Sequence, residues 1–405
     1  MSKGEALRAR AARVLPGGMY GHQSVRTLPP GYPQFYARGQ GAHLWDVDGK
    51  ECVDYLCGYG TNLLGYGHPE VEQAAQRQRA LGDCLSGPSA VMVELAERFV
   101  ETVAHADFAL FAKNGTDATT ICVTLARAHT GKRKVLRATG AYHGAAPWCT
   151  PIKAGVLPED RAHFVRYEYN DVASLRAAAE QTRGDLAAIL VSPFRHDAYR
   201  DQELPSPAFA RATRELCDAH GALLILDDVR AGFRLHEAGS WEPLGVRPDL
   251  TAFSKAIANG RALAAVTGSE RVRDAAQRIY TTGSFWFSAV PMAAALVTLA
   301  IVRRDAVIEQ IERLGRRLRD GLASQAQELG YALRQSGPAQ MPMIRFDDDA
   351  ELVRGNAFVA ECAGRGVLLH PWHNLFLCAA HSDADIDRTL EVTLAALRAM
   401  RERGL

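Results

Sequence analysis

The stretch Leu223-Leu224-Ile225-Leu226-Asp227-Asp228-Val229 decides how this chain is read. A branched apolar run ending in two carboxylates fits a central strand of a parallel sheet covered on both faces. An acid at the carboxyl end of such a strand sits where open α/β sheets bind ligands. Side chains alternate along a strand, so Asp227 and Val229 are expected on one face and Asp228 on the other. Downstream, Leu250 to Phe253 reads as a second short strand that delivers Ser254-Lys255 to the same edge. A carboxylate and a lysine on neighbouring strand ends can pair with each other, or they can hold a bound group between them.

Outward from this stretch, residues 172 to 270 alternate helical and strand patterns: Val172 to Gln181, Ala187 to Ser192, Pro207 to His220, Leu223 to Val229, Leu250 to Phe253 and Ala264 to Gly268. That order predicts a parallel α/β sheet built from right-handed crossovers. Upstream, Asp107 to Ala112 reads as a strand, followed by Lys113-Asn114-Gly115-Thr116-Asp117 and a helix to about Ala128. A strand, a Gly-containing turn and a helix start point free N–H groups at an anion, and the Thr116 hydroxyl adds a donor. The same residues equally describe an ordinary helix capped by Asn114 or Thr116. Lys134 to Arg137 reads as another strand leading to Tyr142-His143-Gly144, where the aromatic can stack on a flat cofactor. Residues 145 to 163 show no period and fit a lid or binding loop. Arg195-His196-Asp197 follows a strand end and fits either a site-facing trio or a solvated loop.

The flanking regions read differently. Residues 1 to 35 begin with an Arg/Ala-rich helix and turn irregular from Pro16-Gly17-Gly18 to Pro29-Pro30-Gly31; Arg26 in this segment is suited to clamp a carboxylate in bidentate fashion. Short strands are expected around Phe35 to Arg38, His43 to Val47 and Cys52 to Tyr55, with Asp48-Gly49 as a tight turn. Helices are expected over 69–81 and 88–103, the latter with Val93, Leu95, Ala96, Phe99 and Val100 on its apolar side. Thr281 to Ser288 reads as a polar-aromatic loop before a long helix that breaks near Arg304-Asp305. The remainder, with strands at Met343 to Phe346, Gly366 to Leu369 and Leu375 to Leu377 and a helix from Ala384, reads as a smaller α+β domain.

Composition narrows the function. The 405 residues carry 47 basic and 46 acidic side chains, for a net charge of +1. That balance gives no electrostatic case for nucleic acid or an anionic membrane. No apolar run approaches the roughly 18 residues that span a bilayer, and the amino terminus has no secretory pattern. The eight cysteines include no C-x-x-C pair and read as buried thiols of a reducing cytoplasm, with no metal ligands assigned. The glycine-rich run from Gly58 to Gly67 lacks the G-x-G-x-x-G spacing of a dinucleotide site, which argues against a nicotinamide dehydrogenase.

Together the motifs resemble class III pyridoxal-phosphate aminotransferases, and in particular the branch around glutamate-1-semialdehyde aminomutase. The resemblance runs in order along nearly the whole chain. Pro16-Gly17-Gly18 to Ser24-Val25-Arg26 is similar to that branch's substrate segment, and Asn114-Gly115-Thr116-Asp117-Ala118 to its phosphate turn. Tyr142-His143-Gly144, Tyr169-Asn170-Asp171, Asp227 to Arg234, Pro248-Asp249-Leu250, Ser254-Lys255 and Gly283-Ser284 follow.

The resemblance implies a fold type I α/β enzyme with a mostly parallel seven-stranded sheet and a smaller α+β domain. We expect residues 1–50 to serve the small domain and substrate site, 51–300 to form the large cofactor domain, and 301–405 the small domain. It further implies pyridoxal 5′-phosphate on Lys255 as a Schiff base and Asp227 on the pyridine nitrogen. Val229 would pack under the ring and Tyr142 over it. Gly115 and Thr116 would hold the phosphate, Ser284 would reach the phosphate of a neighbouring subunit, and Arg26 would hold a substrate carboxylate. A cytoplasmic homodimer with a shared site would move an amino group between a carboxylate-bearing amine and a keto acid. The alternative is an intramolecular aminomutase or isomerase; racemase or decarboxylase chemistry and a non-catalytic relative fit less well, since Lys255 is present. Departures from the family pattern include Ser192-Pro193 for Glu-Pro, Lys113-Asn114 for Asn-Ser, Asp228 for Glu, and Thr124 at a position often Arg.

Overall fold

Leu223–Asp227 forms the middle strand of a seven-stranded sheet in the computed structural model, which describes residues 1–29 and 31–405. We label the strands of this sheet in chain order: β1 Phe108–Ala112, β2 Lys134–Ala138, β3 Phe164–Tyr167, β4 Leu186–Val191, β5 Leu223–Asp227, β6 Leu250–Phe253 and β7 Ala264–Gly268. Their spatial order is β1-β7-β6-β5-β4-β2-β3. β6, β5, β4, β2 and β3 run parallel, while β7 is antiparallel to both β6 and β1.

Alternation along β5 explains the two-sided core. Leu223 and Ile225 join a cluster with Ile121, Cys122 and Leu125 of the helix Gly115–Thr130. Leu224 and Leu226 point the other way, toward Leu175 of Val172–Glu180 and Phe209 of Pro207–Ala219. A strand buried on both faces needs an unbroken apolar run, and that is what residues 223–226 supply. The strand stops at Asp227, so Val229 lies in the following turn rather than on the strand, its N–H reaching Asp227 Oδ1 at 3.3 Å.

The chain forms two compact units. One comprises 69–197 and 202–308 and holds this sheet; the other comprises 1–68, 198–201 and 309–405. The second unit contains the antiparallel strands Tyr36–Gln40, His43–Asp46 and Glu51–Asp54, with Val367–Leu368 added in parallel. It also holds the hairpin Leu333–Ser336/Met343–Phe346 and the helices Val353–Gly364 and Asp383–Glu402. Residues 375–377, expected as a strand, join no ladder. Their N–H groups bond in turn to Pro342, Tyr55 and Gln340, so their partners are split between separate segments. In the irregular amino-terminal segment, the Pro30 part of our reading lies outside the described residues.

Two further expectations are revised. On the helix Ala90–Thr102 the buried side chains are Val91, Leu95 and Phe99, whereas Val93 and Val100 are exposed. Arg195-His196-Asp197 is not a solvated loop: His196 and Asp197 are buried, and Arg195 pairs with Glu203 at 2.9 Å. Among the described residues no helix is long and apolar enough to cross a membrane.

Candidate active site

The carboxyl ends of β5 and β6 carry Asp227 and Lys255 to one edge of the sheet. Asp227 is buried, and its Oδ2 lies 2.7 Å from Nδ1 of the buried His143. Nε2 of that ring is buried and has no hydrogen-bond partner among the described residues. Lys255 follows β6 at φ 50°, a left-handed conformation that a non-glycine residue holds only when its surroundings impose it. Ser254 anchors the turn by donating to the Leu263 carbonyl at 2.8 Å. Burial, helped by the guanidiniums of Arg230 and Arg234, brings the Lys255 amine down to about 7 against the opposing pull of Asp227. An amine in that range is partly neutral near pH 7, which a nucleophile and proton carrier requires.

The helix start is tied to the Tyr142-His143-Gly144 turn. Asn114 caps the helix, its Oδ1 receiving the N–H groups of Thr116 (2.9 Å) and Asp117 (3.2 Å), so the capped-helix reading is realised. Thr119 donates to the His143 carbonyl at 2.7 Å, and Thr116 Oγ1 accepts the Ala145 N–H at 3.1 Å. Two glycines permit this packing. A Cβ on Gly144, at φ +126°, would lie 2.5 Å from Thr116 Oγ1, and a Cβ on Gly115 would lie 2.7 Å from Val229 Cγ1. Gly115, Thr116, Tyr142, Val229, Asp227 and Lys255 therefore all belong to one unit. Ser284 is exposed in the 281–288 loop of that unit, and Arg26 is exposed in the other unit.

His143 as the partner of Asp227 escaped the sequence reading, because the pair is 84 residues apart and only the β2–β4–β5 order joins them. Arg230 and Arg234 were also missed as neighbours of Lys255, whereas His196, of the trio with a site-facing reading, lies within reach of the Lys255 charge. Arg230 donates to the His196 carbonyl at 3.3 Å, and burial with the charges of Arg230 and His143 keeps His196 neutral, well below its ordinary range. Asp228, next to Asp227, turns away: both the N–H (3.0 Å) and the hydroxyl (2.6 Å) of Ser240 donate to it. Burial raises its carboxyl to about 7.

The other unit gathers Cys57, Cys378 and His381, buried, with ligand-type atoms within 4.8 Å of one another. Sequence spacing gave no hint of this. Cys57 donates to the carbonyls of Asp54 and Phe376, and His381 Nδ1 already accepts the Cys378 N–H at 3.0 Å. Those bonds engage the atoms a metal would need.

The Aminotransferase class-III family model matches residues 27–393. The chain belongs to this family. It is 53% identical over 394 residues to the aminopentol aminotransferase of Sphingopyxis macrogoltabida, covering 97% of this chain and 93% of that protein. It is 32% identical to the glutamate-1-semialdehyde 2,1-aminomutase of Desulfitobacterium hafniense, covering 97% of each. The solved PLP internal aldimine form of the Sphingopyxis sp. MTA144 FumI protein superposes with a TM-score of 0.98 at 52% identity, over 98% of this chain and 96% of that one. This class III chain is a pyridoxal-phosphate-dependent aminotransferase of fold type I.

The residues present fit that cofactor. A buried carboxylate stands near a lysine of lowered basicity, and a close-packed glycine opens a helix start beside them.

Proposed function

We propose that Lys255 is the lysine that holds the cofactor and moves the proton, and that the chain transfers an amino group from an amine bearing several hydroxyls to a 2-keto acid. The observation that carries the residue assignment is the Lys255 amine, brought down to about 7 in the company of Asp227. The hydroxylated amine follows the substrate named for the 53% identical relative, a finer choice of donor within the amino-group transfer expected from the sequence. The aminomutase reading draws on the 32% identical relative.

When bound, pyridoxal 5′-phosphate supplies the electron sink for a carbanion at the substrate's amine-bearing carbon. The chain's residues do the rest. Asp227, held by His143, would meet the ring nitrogen and keep its proton in place. Nζ of Lys255, partly neutral near pH 7, would take the proton from the amine-bearing carbon and return it. Val229 and Tyr142 would hold the ring from its two faces. Gly115 and Thr116 hold the phosphate with an N–H and a hydroxyl, since Asn114 already takes the Thr116 N–H. Arg26 holds the keto acid's carboxylate.

We further propose a cytoplasmic homodimer in which Ser284 serves the neighbouring site. The exposed Tyr280 and Phe285 beside Ser284 support an apolar surface covered by a second copy.

A half-reaction tests this reading. The yellow holoenzyme is mixed with single amines, amino acids and amino polyols, without keto acid, and the absorbance is followed. Conversion of the cofactor to its amine form with release of one equivalent of carbonyl product is expected, fastest with a hydroxylated amine. Accumulation of a substrate isomer without released product would establish the mutase instead.

A further inference from the structure

Two strands along the sheet from β5, and on to its edge, positive charge stands without a counter-charge. Arg137 on β2 sits directly opposite Arg166 on the parallel edge strand β3. Like charges in register oppose each other. Arg137 is also buried, at 6% exposure, and its guanidinium lies 5.6 Å from the Phe164 ring centroid. Arg127 covers the same ring at 5.4 Å. Trp148 stacks on Phe164 at 5.0 Å, with Trp148 Nε1 tied to Thr120 Oγ1. Arg161 closes the side, donating to the carbonyls of Pro147 (3.1 Å) and Thr150 (2.6 Å).

Among the described residues, Arg127, Arg137, Arg161 and Arg166 make no ion pair, whereas the adjacent Arg133 pairs with Asp185 at 2.9 Å. The charged groups acting on Arg137 are Arg166 and Arg161, which disfavour its charge alongside burial; only the Cys149 thiol opposes them. A buried guanidinium surrounded by its own kind is costly unless an anion joins it. The chain as a whole is almost neutral, so this excess is local.

We propose that Arg137, Arg161 and Arg166 form a binding site for a phosphate group, free or carried as a monoester. A divalent oxyanion offsets two of the three charges, and planar guanidiniums pair with its oxygens in bidentate fashion. The Trp148–Phe164 stack provides an apolar wall for the rest of an ester. None of the three arginines belongs to the helix start at Gly115 and Thr116, although Trp148 is tied to Thr120 of the same helix.

The test uses holoenzyme freed of excess cofactor in chloride buffer. Thermal unfolding is followed while inorganic phosphate, or in a second arm glycerol phosphate, replaces sodium chloride at equal ionic strength. Cofactor absorbance is monitored throughout to exclude displacement at the catalytic site. The site predicts a saturable rise in midpoint of about 2–4 °C, lost in Arg166→Gln and Arg137→Met. A larger rise with the ester names the monoester as ligand; an equal or smaller one names free phosphate. Arg166 is exposed, so its variant will fold and decides the outcome if Arg137→Met does not. No phosphate-specific rise in the wild type, or a rise that survives in Arg166→Gln, overturns the proposal.

Discussion

Asp227 and Asp228 are consecutive and both buried, Asp227 ending β5 and Asp228 just past it, yet they face different worlds. Asp227 looks to the side of the Gly115–Thr130 helix, where His143 meets it and the Lys255 amine lies within reach of its charge. Asp228 looks to a loop, where two donors from Ser240 bind it and, among the described residues, no cation pairs with it. Burial raises the Asp228 carboxyl to about 7. The difference teaches that the surroundings on each face of a strand end, more than the residue type, separate a carboxylate fit for chemistry from one that fastens a loop.

The comparison is broken most directly at its active side. Lys255→Ala should remove the lysine-linked cofactor absorbance and lower kcat by about 10²–10⁴-fold or more, the range of a lost acid–base group. Asp227→Asn should cost a comparable factor while the protein stays folded. Asp228→Asn should leave kcat within about threefold, as expected for a substitution away from reacting atoms. Steady-state kinetics of the three variants decide the matter: if Asp228→Asn matched Asp227→Asn, the two faces would not differ in function.

A smaller effect sharpens why Asp227 differs. His143→Phe leaves the buried Oδ2 without its partner, at about 1–3 kcal/mol. If that loss falls on the transition state, kcat drops about tenfold to a hundredfold. His143→Gln, which can still donate, should recover part of it and shift the pH profile. A kcat unchanged in His143→Phe would reduce the histidine to packing. Smaller again, Arg26→Ala should raise KM for the keto acid, with kcat less affected; an unchanged KM would place carboxylate recognition elsewhere.

What was legible in the sequence follows from range. The sheet could be read because each strand is a local pattern, such as the unbroken apolar run 223–226 ending in acid. Lys255 and Asp227 could be placed because both follow directly from such runs. The His143–Asp227 pair, the Cys57–Cys378–His381 group and the Arg137–Arg166 register could not, since strand order and tertiary packing create them and no spacing encodes them. Val93 and Val100 misled because helical periodicity marks an apolar stripe wider than the one buried within a single chain. The Asp227/Asp228 alternation predicted opposite faces, but only the fold shows what occupies each.

The last test reads both groups through stability, because their shifts have opposite sign. In cofactor-free protein, the Lys255 amine at about 7 lies below its ordinary 10.5, so the unfolded chain binds more protons between those values. Stability therefore rises with pH across that window through this residue. Asp228, at about 7 against an ordinary 3.8, binds its proton in the folded state first. Its contribution is complete below 3.8 and is lost as pH rises to about 7. Denaturant unfolding of apoenzyme should show Lys255→Met with a flatter profile above pH 7 and Asp228→Asn with a flatter profile below it. A wild-type slope retained in Asp228→Asn would mean that Ser240 holds an ionised carboxylate at Asp228, and the two aspartates would then differ only in their partners.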